Sequence, residues 1–374
     1  MRFSNKHKKH SHSDTDKRHF LKKLFYLGIS SLSLNPLLGL ILTPNKTPFT
    51  NFGWAINHNI GNMKASNHMG FEPGYLRLHR KGELKKRGEI LWQMMEVCEL
   101  CPRECDSKRL DGEEGDCGAD SSLEISSYGA HFGEEDELVG SGGSGTVFFT
   151  NCSMRCVYCI NAEISILGRG EEHSIDQLAD KMLRLQESGC ENINVVTPTH
   201  YSPYIVLALD KAAENGLNIP LVYNTSGYER LEVLKLLDGV VDIYLPDFKY
   251  FESAMAARYS EGARKYPELA KAALLEMNRQ VGVAKPDTNG LMKKGLMIRH
   301  LVLPNDVSGT KQVIDWVAEN LPKDTYLHLM AQYQPYFNAD EYPKLSRPLK
   351  VREYQEAVSH ARLKKLTNLH VQAI

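Results

Sequence analysis

Thr146-Val147-Phe148-Phe149-Thr150-Asn151-Cys152-Ser153-Met154-Arg155-Cys156-Val157-Tyr158-Cys159 decides how this chain is read. The β-branched and aromatic run Thr146 to Thr150 predicts a strand, and a Cys-x3-Cys-x2-Cys loop follows it directly. Three thiolates suit a [4Fe-4S] cube with one iron left free of protein ligands, and that iron can chelate a further molecule. A structural zinc site closes with four ligands, and residues 160–169 supply no further Cys or His. Zinc and disulfide readings therefore fit this loop poorly.

Outward from the loop, five further strand-like runs follow: Asn192 to Val196, Ile219 to Tyr223, Val241 to Leu245, Leu296 to Leu303 and Thr325 to Leu329. Helical patterns separate them, at Ile175 to Ser188, Tyr204 to Asn215, Arg230 to Leu237, Glu268 to Val281, Lys311 to Asn320 and Val351 to Lys365. Strands alternating with helices predict an α/β fold of parallel βα units, either a partial barrel or a doubly wound sheet. Leu178, Met182 and Leu185 stand at helical spacing and are assigned to the core. Polar residues gather where strands end: Thr197-Pro198-Thr199-His200, Asn224-Thr225-Ser226-Gly227, Pro246-Asp247 and Gln332-Tyr333. Each alone is an ordinary turn, but four in succession point to a site at the C-terminal ends of the strands.

With an aromatic residue, Tyr158, before its third cysteine, the loop resembles the radical S-adenosylmethionine (SAM) superfamily. That resemblance implies a partial (β/α)6 TIM-like barrel and a [4Fe-4S] cluster on Cys152, Cys156 and Cys159 whose open iron binds SAM. It further implies one-electron cleavage of SAM to methionine and a 5′-deoxyadenosyl radical, which takes hydrogen from a substrate. The protein positions and shields; the cofactors carry the chemistry. Within the superfamily, residues 90–372 are similar to the branch of pyruvate formate-lyase activating enzymes. The carriers of that likeness are Cys98-Glu99-Leu100-Cys101-Pro102-Arg103-Glu104-Cys105 with Gly112, Gly115 and Cys117; His131 to Glu135; Gly142 to Gly145; and the later strand ends through Arg299 to Pro304. Tyr158, Thr197, Thr199, Asn224, Ser226, Asp247, Lys249 and Arg299 are the implied cofactor or substrate contacts. Thr197-Pro198-Thr199 stands where the superfamily usually carries a Gly-Gly-Glu-like motif, a departure that weakens individual contacts there.

The earlier cysteines, Cys98-x2-Cys101-x3-Cys105-x11-Cys117, supply four thiols, enough for a closed tetrahedral site. Zinc, an auxiliary iron-sulfur cluster and a metal-free vestige are the alternatives. Cys190 is isolated and reads as a buried structural thiol. Tyr333, Tyr336 and Phe337 either line a pocket or pack, and Arg77 to Arg87 reads as a solvated basic helix.

The eight cysteines of this 374-residue chain, seven of them within 98–159, exclude a disulfide scaffold and point to metal. A net charge of −1 gives no global attraction to nucleic acid. Lys17-Arg18-His19-Phe20-Leu21-Lys22 resembles a twin-arginine export signal, with Lys17 in place of the first arginine, and an apolar stretch from Leu24 to Leu42 follows. Residues 1–50 thus read as a signal-like or membrane-anchor segment, with membrane contact through 20–42; 51–89 as linker and basic helix; 90–140 as a cysteine-rich extension; and 141–374 as the barrel. SAM and low-potential donors such as flavodoxin or ferredoxin are cytoplasmic, which favours a cytoplasmic or cytoplasm-facing body over export. The expected function is a radical SAM enzyme, either an activase for a glycyl radical enzyme or a modifier of a small molecule or peptide. The alternative is an exported, non-enzymatic electron-transfer protein.

Overall fold

All six expected strands form, and they lie parallel and side by side in a computed structural model that describes residues 70–373. The signal-like segment and the linker up to residue 69 lie outside the described residues. The strands are β2 (Ser144–Phe149), β4 (Ile193–Val196), β5 (Leu221–Thr225), β6 (Ile243–Pro246), β7 (Gly295–Leu301) and β8 (Tyr326–Met330). Three more complete a nine-stranded sheet: β1 (Leu123–His131) pairs antiparallel with β2 and with β3 (Glu171–His173), and β9 (Leu369–Val371) pairs parallel with β8. The order β3-β1-β2-β4-β5-β6-β7-β8-β9 leaves the sheet mixed and unclosed, an α/β partial barrel.

Parallel strands are covered on both faces, and the alternation of side chains shows how. One face, with Val147, Phe149, Ile193, Val195, Tyr223 and Tyr244, packs into the main core beneath the crossover helices. The other face contributes Val222, Ile243, Leu245, Met297 and Tyr326 to a separate inner cluster with Leu138 and Met292. Leu138 belongs to the short helix α3 (Asp136–Val139), whose Glu137 carbonyl accepts from Met292 N (2.7 Å) and whose Leu138 carbonyl accepts from Asn192 Nδ2 (2.8 Å). The segment before β2 therefore fills the inner face below the strand ends.

Helix α5 (Ile175–Glu187) shows the local logic of the crossovers. Ser174 and Gln177 form a capping box at its start, worth about 0.5–2 kcal/mol, and Leu178, Ala179, Met182 and Leu185 bury the face expected for them. Tight backbone packing brings α5 to the sheet: a Cβ on Gly142 would fall 1.8 Å from the Gly189 carbonyl, so only glycine fits. The basic stretch Arg77 to Arg87 forms not one helix but two, α1 (Gly74–Arg80) and α2 (Glu83–Gln93), separated at Gly82 by a left-handed backbone (φ 68°). Tyr75, Leu84 and Leu91 bury one side of the pair, and Gly88 abuts Leu207 of α6 (Ser202–Glu214). Arg87 reaches the carbonyls of Leu236 and Asp238. No helix among the described residues is long and apolar enough to cross a membrane.

Candidate active site at the strand ends

The cysteine loop leaves β2 through two left-handed residues, Asn151 (φ 65°) and Arg155 (φ 46°), which curl 152–159 over the end of the sheet. Four outside contacts fix the curl. Cys152 N donates to Cys117 O (3.3 Å), Arg103 Nε to Ser153 O (2.7 Å), Val157 N to Tyr259 O (3.0 Å), and Asn338 N to Val157 O (3.0 Å). Arg155 Nε pairs with Glu261 (2.5 Å).

Each of the three sulfurs has a hydrogen-bond partner. Cys152 Sγ accepts from Met154 N (3.4 Å), Cys156 Sγ from Ser260 Oγ (3.0 Å), and Cys159 Sγ lies 3.1 Å from Ser165 Oγ. Tyr250 OH, 3.0 Å from Ser260 Oγ, extends the chain behind Cys156. Burial raises all three thiol pKa values, so the thiolates a metal needs are costly here without a cation. Among the described residues no group of three or more His, Cys, Asp or Glu side chains is placed so that it could hold a metal ion as it stands. The donor set nonetheless fits a [4Fe-4S] cluster: three soft thiols on one loop, each with the polar neighbour that tunes such centres.

Several of the expected contacts stand at the ends of β5, β6 and β7. Asn224 is the penultimate residue of β5, Asp247 and Lys249 follow β6, and the Asp247 backbone forms a β-bridge with Arg299 of β7. Lys249 Nζ donates to Asp247 Oδ2 (2.6 Å). Burial alone would lower the Lys249 pKa, but Asp247 and then Cys156 outweigh it and keep the ammonium charged. Tyr266, at the start of α9 (Tyr266–Val281), ties the two strand ends together. Its hydroxyl accepts from Lys249 N (2.7 Å) and faces the carbonyls of Asp247 (2.9 Å) and Ser226 (3.0 Å). The Ser226 side chain stays local, 3.4 Å from Tyr228 N.

Three expected contacts are engaged elsewhere. Thr199 Oγ1 donates to Glu229 Oε1 (2.7 Å) in the interior. Arg299 pairs with Glu134 and Glu135, and Glu135 also accepts from His328 Nδ1 (2.8 Å). Burial would raise Glu135, but Arg299 and His328 prevail and hold it well below the carboxylate range. Tyr158 packs edge-on against Tyr250 and Tyr333, so it supports the loop from behind. Tyr333 is likewise packing, buried with its hydroxyl on Leu345 O (2.6 Å), whereas Tyr336 and Phe337 are exposed. Thr197 takes a left-handed backbone (φ 60°) while its N donates to Asn224 O (3.0 Å). A β-branched residue there is strained, and the glycine usual at this place in the superfamily would not be.

Ser165, Ser260, Tyr266, Arg103 and Arg109 are not marked by any motif as site residues. Arg103 alone carried a signal, lying inside the quoted cysteine preface. The others are ordinary residue types until folding brings them to the loop.

Residues 146–279 match the Radical SAM superfamily. A relative in Methanocaldococcus jannaschii, the uncharacterized protein MJ0674, is 28% identical over 318 residues, 82% of this chain and 86% of that one. Among solved structures, Streptococcus suis SuiB aligns over 60% of this chain at 12% identity and TM-score 0.39, and the alignment spans 47% of SuiB's length. Methylornithine synthase (PylB) aligns over 81% of this chain and 83% of its own at 10% identity and TM-score 0.39. The family match runs from within β2 into α9.

Proposed function

We propose, with the radical SAM domain of residues 146–279 as premise, that this chain is an enzyme that reductively cleaves SAM and abstracts hydrogen from a substrate. The observation that carries the reading is the three-thiol loop of Cys152, Cys156 and Cys159, each sulfur hydrogen-bonded, at the end of the sheet where Asn224, Asp247 and Lys249 gather. A [4Fe-4S] cluster held by Cys152, Cys156 and Cys159, together with SAM, would supply the one-electron cleavage of a carbon-sulfur bond. The chain's residues supply order. Ser260 and Ser165 hold two sulfurs, Lys249 offsets thiolate charge beside Cys156, and Tyr266 fixes the Asp247-Lys249 turn. The aromatic backing of Tyr158, Tyr250 and Tyr333 keeps water from the rear of the loop.

Within that chemistry the proposed role is an activase for a glycyl radical enzyme, fed by flavodoxin or ferredoxin on the cytoplasmic side. Its support is the cysteine preface and strand-end motifs that resemble pyruvate formate-lyase activating enzymes. The test is anaerobic reconstitution with iron and sulfide, reduction with dithionite in the presence of SAM, and assay of 5′-deoxyadenosine. Product that disappears on Cys156→Ala supports the reading. A fully loaded cluster that neither binds nor cleaves SAM overturns it.

A further inference from the structure

Four more thiols meet on the other side of the loop's anchoring contacts. Cys98, Cys101 and Cys117 are buried, Cys105 is half-buried, and all four are free thiols. Two turns present them. Cys98 N donates to Ser107 O (2.8 Å), closing a loop through left-handed Glu104 and Asp106 (φ 46° and 54°). Gly118 N donates to Gly115 O (2.8 Å) and Gly115 N to Ala119 O (2.9 Å) beside Cys117. A Cβ on Gly115 would stand 3.3 Å from Cys105 Sγ and 3.5 Å from Cys117 Sγ. The glycine thus leaves clear the space that those two sulfurs face. Cys101 lies close enough to Cys117, Cys98 and Cys105 for the four to act on one another electrostatically.

Beside them lies Arg109, the largest fully buried side chain among the described residues. Its Nε donates to Asp120 O (2.9 Å) and its Nη1 to His200 O (2.8 Å), while Nη2 finds no partner. The ionisable groups that act on it most are not carboxylates but Cys117 and Cys98, and the Cys98 thiol lies within hydrogen-bonding reach of the guanidinium. A buried guanidinium without a counter-anion is costly, by several kcal/mol in general, and neutral thiols do not compensate it. A metal tetrathiolate does, because four thiolates on a divalent ion leave a net charge of −2.

We propose that Cys98, Cys101, Cys105 and Cys117 bind one zinc ion as a closed tetrathiolate, with Arg109 as its buried countercharge. Zinc enters as the divalent ion, each thiol gives its proton to solvent, and nothing is oxidised or reduced. Among the described residues no group of three or more His, Cys, Asp or Glu side chains could hold a metal ion as it stands, so loading has to draw the four sulfurs together. The site also acts on the catalytic loop through the backbone. Cys117 O holds Cys152 N, and His200, whose carbonyl takes Arg109, donates from Nε2 to Thr150 O (2.8 Å) at the end of β2. Arg103, between Cys101 and Cys105, holds Ser153 O. Zinc here is a clamp on the loop, distinct from the three-thiol centre.

The test is metal analysis of the full chain by mass spectrometry, with cobalt substitution as a second readout. About one zinc per chain is expected in the wild type and in the Cys152→Ala/Cys156→Ala/Cys159→Ala variant, and its loss in Cys98→Ser/Cys101→Ser. Cobalt in the wild type gives the visible absorption of a tetrathiolate. Arg109→Gln loses zinc to a chelator about 10–100-fold more readily, and Arg109→Lys less so. Equal zinc in the wild type and the double serine variant overturns the proposal, as does iron with sulfide in place of zinc in the triple alanine variant, or cobalt without sulfur charge-transfer bands. Because the triple variant lacks the catalytic loop's ligands, its zinc content tests this site alone, and deoxyadenosine assays test the other.

Discussion

Replacing Glu229 by glutamine removes a pH dependence whose size follows from the structure. Glu229 is fully buried behind the strand ends. Its Oε1 accepts from Thr199 Oγ1 (2.7 Å) and from Thr225 Oγ1, while Oε2 has no partner. Burial raises its pKa to about 7 against 4.5, and the two threonine hydroxyls only partly counter that rise. The folded state therefore binds the proton more tightly than the unfolded chain. Stability from this group is fully present below about pH 4.5 and is lost as pH rises through about 7. At 1.36 kcal/mol per pKa unit the loss amounts to about 3 kcal/mol between the acid and alkaline limits. Glutamine keeps an acceptor for the threonines and cannot ionise. In urea unfolding, Glu229→Gln minus wild type is expected to grow with pH by about 2–3 kcal/mol from pH 5 to pH 9. Other titrating groups cancel in that difference. A difference independent of pH refutes the reasoning, because it means Glu229 is ionised in the folded protein and has a counter-charge the geometry does not show.

Further outcomes concern the loop. Cys156→Ala is expected to abolish deoxyadenosine formation while circular dichroism retains the fold, since the loop's backbone anchors do not involve that side chain. Ser260→Ala removes the donor to Cys156 Sγ. A hydrogen bond of about 0.5–1.5 kcal/mol that favours the more negative reduced centre corresponds to a fall of about 20–60 mV in one-electron potential, read by EPR titration with iron content unchanged. An unchanged midpoint sinks that role. Tyr266→Phe leaves Lys249 N without its acceptor, costing about 1–3 kcal/mol in stability, and it weakens SAM binding in calorimetry by loosening the Asp247-Lys249 turn.

The parallel strands were legible because burial on both faces writes them as continuous apolar runs, bounded by polar ends. Strands β1, β3 and β9 were not. Glu171-Glu172-His173 and Leu369-His370-Val371 are three residues each and pair only at the edges of the sheet, and Leu123–His131 is exposed over its second half. The cysteines declared themselves by spacing, whereas the groups that serve their sulfurs could not. Ser260 lies 104 residues beyond Cys156, and no local pattern links the two. Thr199 and Arg299 stand where strand-end position alone points to site contacts. Side-chain partners unseen in sequence, Glu229 and the Glu134-Glu135 pair, draw them into other networks.

The two thiol sets are distinguished by how their neighbouring cations are compensated. A closed tetrathiolate on a divalent ion is doubly anionic and asks for an unpaired cation nearby. An oxidised [4Fe-4S] cluster held by three thiolates is less negative, and it leaves one coordination place for a ligand of its own. Arg109, beside Cys117 and in hydrogen-bonding reach of Cys98, has two carbonyl acceptors and no carboxylate among its hydrogen-bond partners. Lys249, beside Cys156, is already neutralised by Asp247 at 2.6 Å. The uncompensated charge therefore sits where the ligand count is four, and the compensated pair sits where it is three. Exchanging the two environments, with a carboxylate placed against Arg109 or Asp247 removed from Lys249, is expected to weaken metal retention at the four-thiol set in the first case and to raise anion affinity at the strand ends in the second. Metal analysis and calorimetry with a sulfonium-free carboxylate ligand such as methionine separate the two effects. Retention and affinity both unchanged would mean that charge does not distinguish the sites.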